Sequence, residues 1–196
     1  NPRPQFLLPI EPLTITPLSI LRDYYGYDAF RGQQEAVINH VVDGGNAFVL
    51  MPTGAGKSLC YQIPALCRDG VAIVISPLIA LMQDQINALA QMNIKAAAIN
   101  STMSFEEVSA VRQQVRKGEI DLLYVAPERL MMPDFLSFLD KCNIALFAID
   151  EAHCVSEWGH DFRPDYAALS MLAERFPNVP RVALTATADA QTRADI

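Results

Sequence analysis

The chain reads as an α/β domain built on a mainly parallel sheet with helices on both faces, and three observations predict this. Short, continuously apolar runs recur at residues 71–75, 96–99, 122–125, 145–149 and 182–184, as strands buried on both faces require. Amphipathic segments of helical period lie between them, the alternation expected of a sheet whose strands are joined by crossover helices. An earlier apolar run, Val49-Leu50-Met51, ends in a glycine-rich turn that leads into lysine and serine.

Taken in order, residues 1–15 are proline-rich and lack a helical period, so residues 1–16 read as an extended N-terminal arm and residues 17–196 as one domain. Thr16-Pro17 is a good helix start, with Gly26 as the stop after Leu18, Leu21 and Tyr25. A second helix is expected from about Gly32 to Val42, ended by Asp43-Gly44-Gly45. After the glycine-rich turn, Leu78, Leu81, Met82, Ile86 and Leu89 share one face of a helix by their spacing. Phe105, Val108 and Val111 share another, and Ser104 with Glu107 forms a capping box at its start. The turns after the strands, at Ser76-Pro77, Asn100-Ser101-Thr102, Pro127-Glu128-Arg129 and Asp150-Glu151, should all lie on one edge of the sheet, where ligands of such folds bind.

The stretch AFVLMPTGAGKS, residues 47–58, is a phosphate cradle. Gly54 and Gly56 permit backbone angles that a Cβ would disfavour, so successive N–H groups of Thr53, Gly54, Ala55 and Gly56 can converge on an anion. Lys57 and Ser58 stand at a helix N-terminus, whose dipole favours negative charge. Lysine reaches the β- and γ-phosphates in such loops and the hydroxyl ligates Mg²⁺. The strict pattern wants glycine where Met51 stands, and taken alone the cluster could be an ordinary strand-to-helix turn. Asp150 and Glu151 follow the apolar run IALFAI, where an acid can hold Mg²⁺ opposite Ser58 and its neighbour can polarise an attacking water. An aspartate at such a junction also serves as a helix N-cap. Its pairing with the upstream cradle favours the metal role.

The 196 residues, 51% hydrophobic, suffice for one full core. No apolar run reaches the ~18 to 20 residues of a membrane helix and no signal peptide opens the chain, so a soluble intracellular protein without membrane association is expected. Cys60, Cys67, Cys142 and Cys154 form no Cys-x-x-Cys pair, which argues against zinc and disulfides and for reduced, mostly buried thiols. The net charge of −7 means that any nucleic-acid contact must come from a local patch, backbone N–H groups or a further part of a larger protein.

With these residues in hand a resemblance becomes visible. Asp150-Glu151-Ala152-His153 resembles the DEAH box of superfamily 2 helicases, and residues 51–58 resemble their motif I, in which the first glycine is often relaxed. More narrowly, Leu21, Tyr25-Gly26, Phe30-Arg31 and Gln34 are similar to motif 0 of the RecQ family of DNA helicases. SPLIALMQDQ (76–85) is similar to its motif Ia, YVAPERL (124–130) to the Ib region, HCVSEWGHDFRPDY (153–166) to its aromatic-rich loop, and LTAT (184–187) to motif III. The resemblance covers nearly all of residues 21–196.

It implies the first RecA-like lobe, a three-layer P-loop NTPase domain, of an ATP-dependent 3′–5′ DNA helicase that uses ATP and Mg²⁺. Gln34 can pair with the adenine edge while Tyr27 and Arg31 stack on or flank the base. From the residues alone, capping and packing would be preferred for Tyr27, and Gln34 would be left open. His153 would report on the γ-phosphate, and Thr185 and Thr187 would link the metal strand to its neighbours; otherwise these are a hydrogen-bonded histidine and satisfied turn hydroxyls. Trp158, Phe162 and Arg163 would stack on single-stranded DNA. Loops at Ser76, Asn100, Ser101 and Pro127 would track its backbone, though Glu128-Arg129 could equally be a structural ion pair. The expected partners are single-stranded and branched DNA and a second RecA-like lobe carrying an arginine finger, without which the fragment should be largely inactive. The expected location is the bacterial cytoplasm at the nucleoid, or a eukaryotic nucleus. An RNA helicase lobe of DEAD/DEAH type and a non-catalytic nucleotide-binding module are the rival readings. Motif 0 and the Trp158 loop argue against the first, the joint presence of Lys57, Ser58, Asp150 and Glu151 against the second.

Overall fold

A computed structural model describes residues 14–52, 56–150 and 164–186. Six parallel strands form one sheet in the order β1-β6-β5-β2-β4-β3. They are β1 (Ala47–Leu50), β2 (Val71–Ile75), β3 (Ala96–Ile99), β4 (Leu122–Val125), β5 (Ile144–Ile149) and β6 (Arg181–Thr185). All five runs predicted as strands after the cradle are strands, within a residue of the expected bounds. The central strands β2, β4 and β5 are buried at every position, which is why they read as unbroken apolar runs.

Eight helices are described: α1 (Pro17–Tyr25), α2 (Gln34–Val42), α3 (Leu59–Cys67), α4 (Ile79–Gln91), α5 (Phe105–Arg116), α6 (Pro127–Leu130), α7 (Pro133–Leu139) and α8 (Pro164–Arg175). The first begins as its sequence predicts. The Thr16 side chain accepts from the Ser19 N–H at 3.1 Å, Pro17 takes the first turn, and Gly26 closes the helix at φ 71°. In α5 the Ser104–Glu107 capping box is formed in both directions, at 2.7 and 3.2 Å.

Successive strand residues face opposite layers. Ile73, Ile75, Leu123, Val125, Phe147 and Ile149 pack with Val108, Val115, Phe135, Phe138 and Leu172 of α5, α7 and α8. Ala72, Val74, Leu122, Tyr124, Leu146 and Ala148 pack with Val41, Tyr61, Met82 and Leu89 of α2, α3 and α4. A smaller cluster of Ile20, Leu21, Ile38, Leu59 and Ile63 seats α1 on α2 and α3. Arg68 ties these parts together, donating to the Val42 carbonyl at 2.7 Å and to the Ala145 carbonyl at 2.8 Å.

Two helix faces differ from expectation. Leu78 and Leu81 are exposed, and the buried stripe of α4 is Met82 and Leu89 with Ile86 partly covered. Leu78 is the extended N-cap, outside the helical phase, and Leu81 sits about 100° around the axis from Met82. Phe105 is 82% exposed because it is the first residue of α5, ahead of the turn that carries Val108 to the sheet. Among the described residues no helix is long and apolar enough to cross a membrane. Cys60 is a buried free thiol and Cys67 and Cys142 are half-buried ones, while Cys154 lies outside the described residues.

Candidate nucleotide-binding site

The register puts the carboxyl ends of all six strands on one edge. Leu50 lies beside Thr185, Ile149 beside Ala183 and Ile75, and Val125 beside both Ile75 and Ile99. Lys57 and Ser58 follow β1, and Asp150 follows β5, with only β6 between the two strands. Asp150 is fixed by its backbone, its N–H donating to the Ile75 carbonyl at 2.9 Å, so the sheet's bonding continues one residue past β5. The Asp150 charge is felt below the edge, where it adds to burial in raising the Tyr61 and Tyr124 hydroxyls above the usual phenol range.

At the cradle, Gly56 has φ 74°, and a Cβ there would run into the Gln34 side-chain amide. Glycine is therefore favoured by conformation, and a Cβ would also displace the Gln34 amide from its place against the loop. Ser58 accepts at its carbonyl from the Tyr61 and Gln62 N–H groups at 3.2 and 3.0 Å, which opens α3. Its hydroxyl makes no helix cap, leaving it for other work. By donor chemistry the Ser58 hydroxyl and the Asp150 carboxylate would suit Mg²⁺, an ion that takes oxygen ligands and would supply positive charge for phosphates.

Motif 0 folds against this loop. Gln34, only 3% exposed, accepts from the Arg31 N–H at 2.9 Å and donates to the Gly56 carbonyl at 3.2 Å. The Arg31 guanidinium lies 5.8 Å from the centre of the Tyr27 ring, and that ring is half exposed. Together these residues line an open cleft of about 350 Å³ that also takes in Gly56 and Ser58. Sites for small ligands are of this size and this mixed character.

Other predicted site residues are placed less directly. Thr185 is fully buried at the end of β6, and its carbonyl accepts from the Met51 N–H at 3.2 Å, so it stands between the phosphate strand and the acid strand. Ser76 is 2% exposed and its N–H is bonded to the Val125 carbonyl, so this arrangement does not offer its hydroxyl to DNA; Leu78 and Ile79 are the exposed residues nearby. Asn100 is half-buried and closes its own turn by accepting from the Thr102 N–H and hydroxyl, at 3.0 and 2.6 Å, which leaves Ser101 exposed beside it. The ion-pair reading of Glu128-Arg129 needs a correction of partner: Arg129 faces Asp134 at 3.7 Å, and Asp134 is held more tightly by Arg112 at 2.7 Å. Thr53, Gly54, Ala55, Glu151, His153, Trp158, Phe162, Arg163 and Thr187 lie outside the described residues.

One participant escaped the sequence reading. Gln62, also 3% exposed, accepts from the Tyr25 hydroxyl at 2.9 Å and donates to Gln85 at 3.0 Å. A lone amide inside the apolar stretch CYQIPAL was the available signal.

Comparison with known proteins covers most of the chain. It is 50% identical over 181 residues to the ATP-dependent DNA helicase RecQ of Haemophilus influenzae, covering 92% of this chain and 29% of that protein. It is 47% identical over 180 residues to the RecQ helicase of Bacillus subtilis, covering 91% and 30%. The chain thus spans about three-tenths of the curated relatives it matches. Among solved structures, the DUF1998 helicase MrfA bound to DNA and AMPPNP superposes with a TM-score of 0.71 at 22% identity, over 94% of this chain and 28% of that one. A hypothetical ATP-dependent RNA helicase from Sulfolobus tokodaii gives 0.65 at 22% identity, over 91% and 53%. These two likenesses concern the fold, which is that of RecA-like helicase lobes. The family model described as DEAD/DEAH box helicase matches residues 31–196, and the chain therefore belongs to the DEAD/DEAH box helicase family.

Proposed function

We propose that this chain is the ATP-binding lobe of a RecQ-type DNA helicase. The observation that carries the reading is the hydrogen bond from Gln34 to the Gly56 carbonyl, which joins a base-reading segment to a phosphate loop in one cleft. The Tyr27–Arg31 pair flanks adenine, and Gln34, bonded to the Arg31 N–H and the Gly56 carbonyl, sets that pair against the phosphate loop at the adenine edge. Lys57 and the N-terminus of α3 take the phosphates. Ser58 and Asp150 hold Mg²⁺, which when bound neutralises phosphate charge. Glu151 orients the attacking water, with His153 beside the γ-phosphate. Thr185 and Thr187 carry the state of the site to neighbouring loops.

Single-stranded and branched DNA are the proposed nucleic-acid partners. Trp158, Phe162 and Arg163 stack on unpaired bases, and Asn100 and Ser101 meet the backbone. The RecQ relatives are named DNA helicases, which supports DNA rather than RNA as the substrate, and 3′–5′ is the direction of travel proposed with it. A second RecA-like lobe supplies the arginine finger, a contribution of ~10³ to 10⁵ in rate in related chemistry, so the lobe alone hydrolyses ATP slowly and unwinds nothing. The protein would act where chromosomal DNA lies, at the nucleoid or in the nucleus.

Titration of the chain with a fluorescent ATP analogue and Mg²⁺ tests this reading. Lys57→Ala should weaken binding by about a hundredfold or more. Equal binding by this variant, or vigorous unwinding by the unaltered chain, would overturn it. In the two-lobe enzyme, Trp158→Ala should remove most of the stimulation of ATP hydrolysis by single-stranded DNA.

A further inference from the structure

The floor of the cleft holds an amide that neither phosphate nor base chemistry calls for. Gln62 lies one helical turn past Ser58, its N–H bonded to the Ser58 carbonyl at 3.0 Å. Its side-chain oxygen accepts from the Tyr25 hydroxyl and its nitrogen donates to the Gln85 oxygen. Next to it in α3, Tyr61 is wholly buried, with its hydroxyl 2.9 Å from that of the equally buried Tyr124. The Gln62 side chain therefore joins α3, one turn past its opening, to the last residue of α1 and to the middle of α4.

Leucine or methionine would fill the same space without desolvating an amide, so this network is a costly way to pack a core. What a satisfied buried network provides is a single geometry, because each donor and acceptor fixes the next. The geometry concerned is specific. Tyr25 is followed by the Gly26 turn and then by Tyr27, whose ring forms the base platform with Arg31. Ser58 lines the same cleft. Because Ser58 and Gln62 share the first turns of α3, the bond from Tyr25 to Gln62 sets the spacing between the base platform and the opening of α3, and Gln85 holds α4 to the same point.

We propose that Gln62 is a positioning residue that locks the base platform to the phosphate loop, so that adenosine and triphosphate are bound together by one preformed cleft. This rests on the nucleotide-binding reading above.

The test uses two probes on the chain, a fluorescent ATP analogue and inorganic tripolyphosphate as a competitor lacking a base. Gln62→Leu should weaken the analogue about tenfold while changing the tripolyphosphate affinity less than about twofold, since only the nucleotide spans both ends. Tyr25→Phe, which cuts one bond and keeps the packing, should move the analogue in the same direction by a smaller factor and serves if Gln62→Leu does not fold. Unchanged analogue affinity in the folded variants, or parallel loss of both probes, would overturn the proposal and leave Gln62 a structural residue. Lys57→Ala separates the two readings: it should lose both probes, and retention of both would instead bring down the nucleotide site itself.

Discussion

The two faces of the sheet are made from alternating residues of the same strands, yet they are packed in opposite ways. Toward α5, α7 and α8 the interior is aliphatic and phenyl, with Phe147 against Phe176 at 5.2 Å and Phe135 against Phe138 at 5.7 Å. The ion pairs of that side, Arg112–Asp134 and Arg175–Asp140, lie toward its surface. Toward α1–α4 the interior contains Tyr61, Tyr124, Gln34 and Gln62, hydrogen-bonded under the cleft. The apolar face supplies stability with little demand on exact placement, since cores tolerate repacking. The other face gives up some of that gain to fix where groups stand.

That contrast can be broken at graded cost. Phe147→Ala should be the most damaging, about 3 to 5 kcal/mol in urea unfolding, by emptying a fully buried site. The folded fraction should still bind the ATP analogue normally, and loss of that binding would dissolve the division of labour. Tyr61→Phe should cost less, about 1 to 3 kcal/mol, by leaving the Tyr124 hydroxyl without its buried partner. The double change with Tyr124→Phe should recover part of this loss, as both polar groups then leave together.

Alkali should find the cleft face first. Burial raises the Tyr25, Tyr61 and Tyr124 hydroxyls, Tyr124 to about 12, above the unfolded value near 10. Their contribution to stability is therefore complete below about pH 10 and is lost as pH climbs through the folded values. Cys60 and Cys67, pushed by burial to about 11, act in the same sense from their lower unfolded value. Urea midpoints should begin to fall above about pH 9 as the thiols ionise in the unfolded chain, fall further above about pH 10, and fall less steeply there in the Tyr61→Phe/Tyr124→Phe chain.

Arg175→Ala should have the smallest effect. Its bond to Asp140 holds that carboxyl below the usual carboxylate range, so the pair helps at neutral pH and ceases to help as pH falls through the lowered value. The pair is exposed to solvent, and salt screening should make the variant indistinguishable from the parent in 1 M NaCl.

Much of the fold was legible because its signals are local. Strands covered on both faces appear as unbroken apolar runs, and Thr16-Pro17 and Ser104–Glu107 write helix starts into adjacent residues. Leu78, Leu81 and Phe105 were misjudged because a period locates a stripe without saying where a helix begins relative to the sheet. The cleft was legible only in pieces. Gly56, Gln34 and Asp150 were each visible, but the bond that joins Gln34 to Gly56 is a property of the folded chain. Gln62 was passed over because one amide among apolar neighbours carries no motif, and its meaning lies in partners on α1 and α4.

The strand order has a consequence in time. Among the described residues β1 is paired in the sheet only with β6, and Arg181 reaches back to Asn46 across 135 positions of sequence. A ribosome must therefore deliver the far end of this chain before the strand leading into the phosphate loop can take its place. Until then the proposed nucleotide cleft is unfinished, and a nascent chain must reach its fold without help from any molecule that cleft would bind.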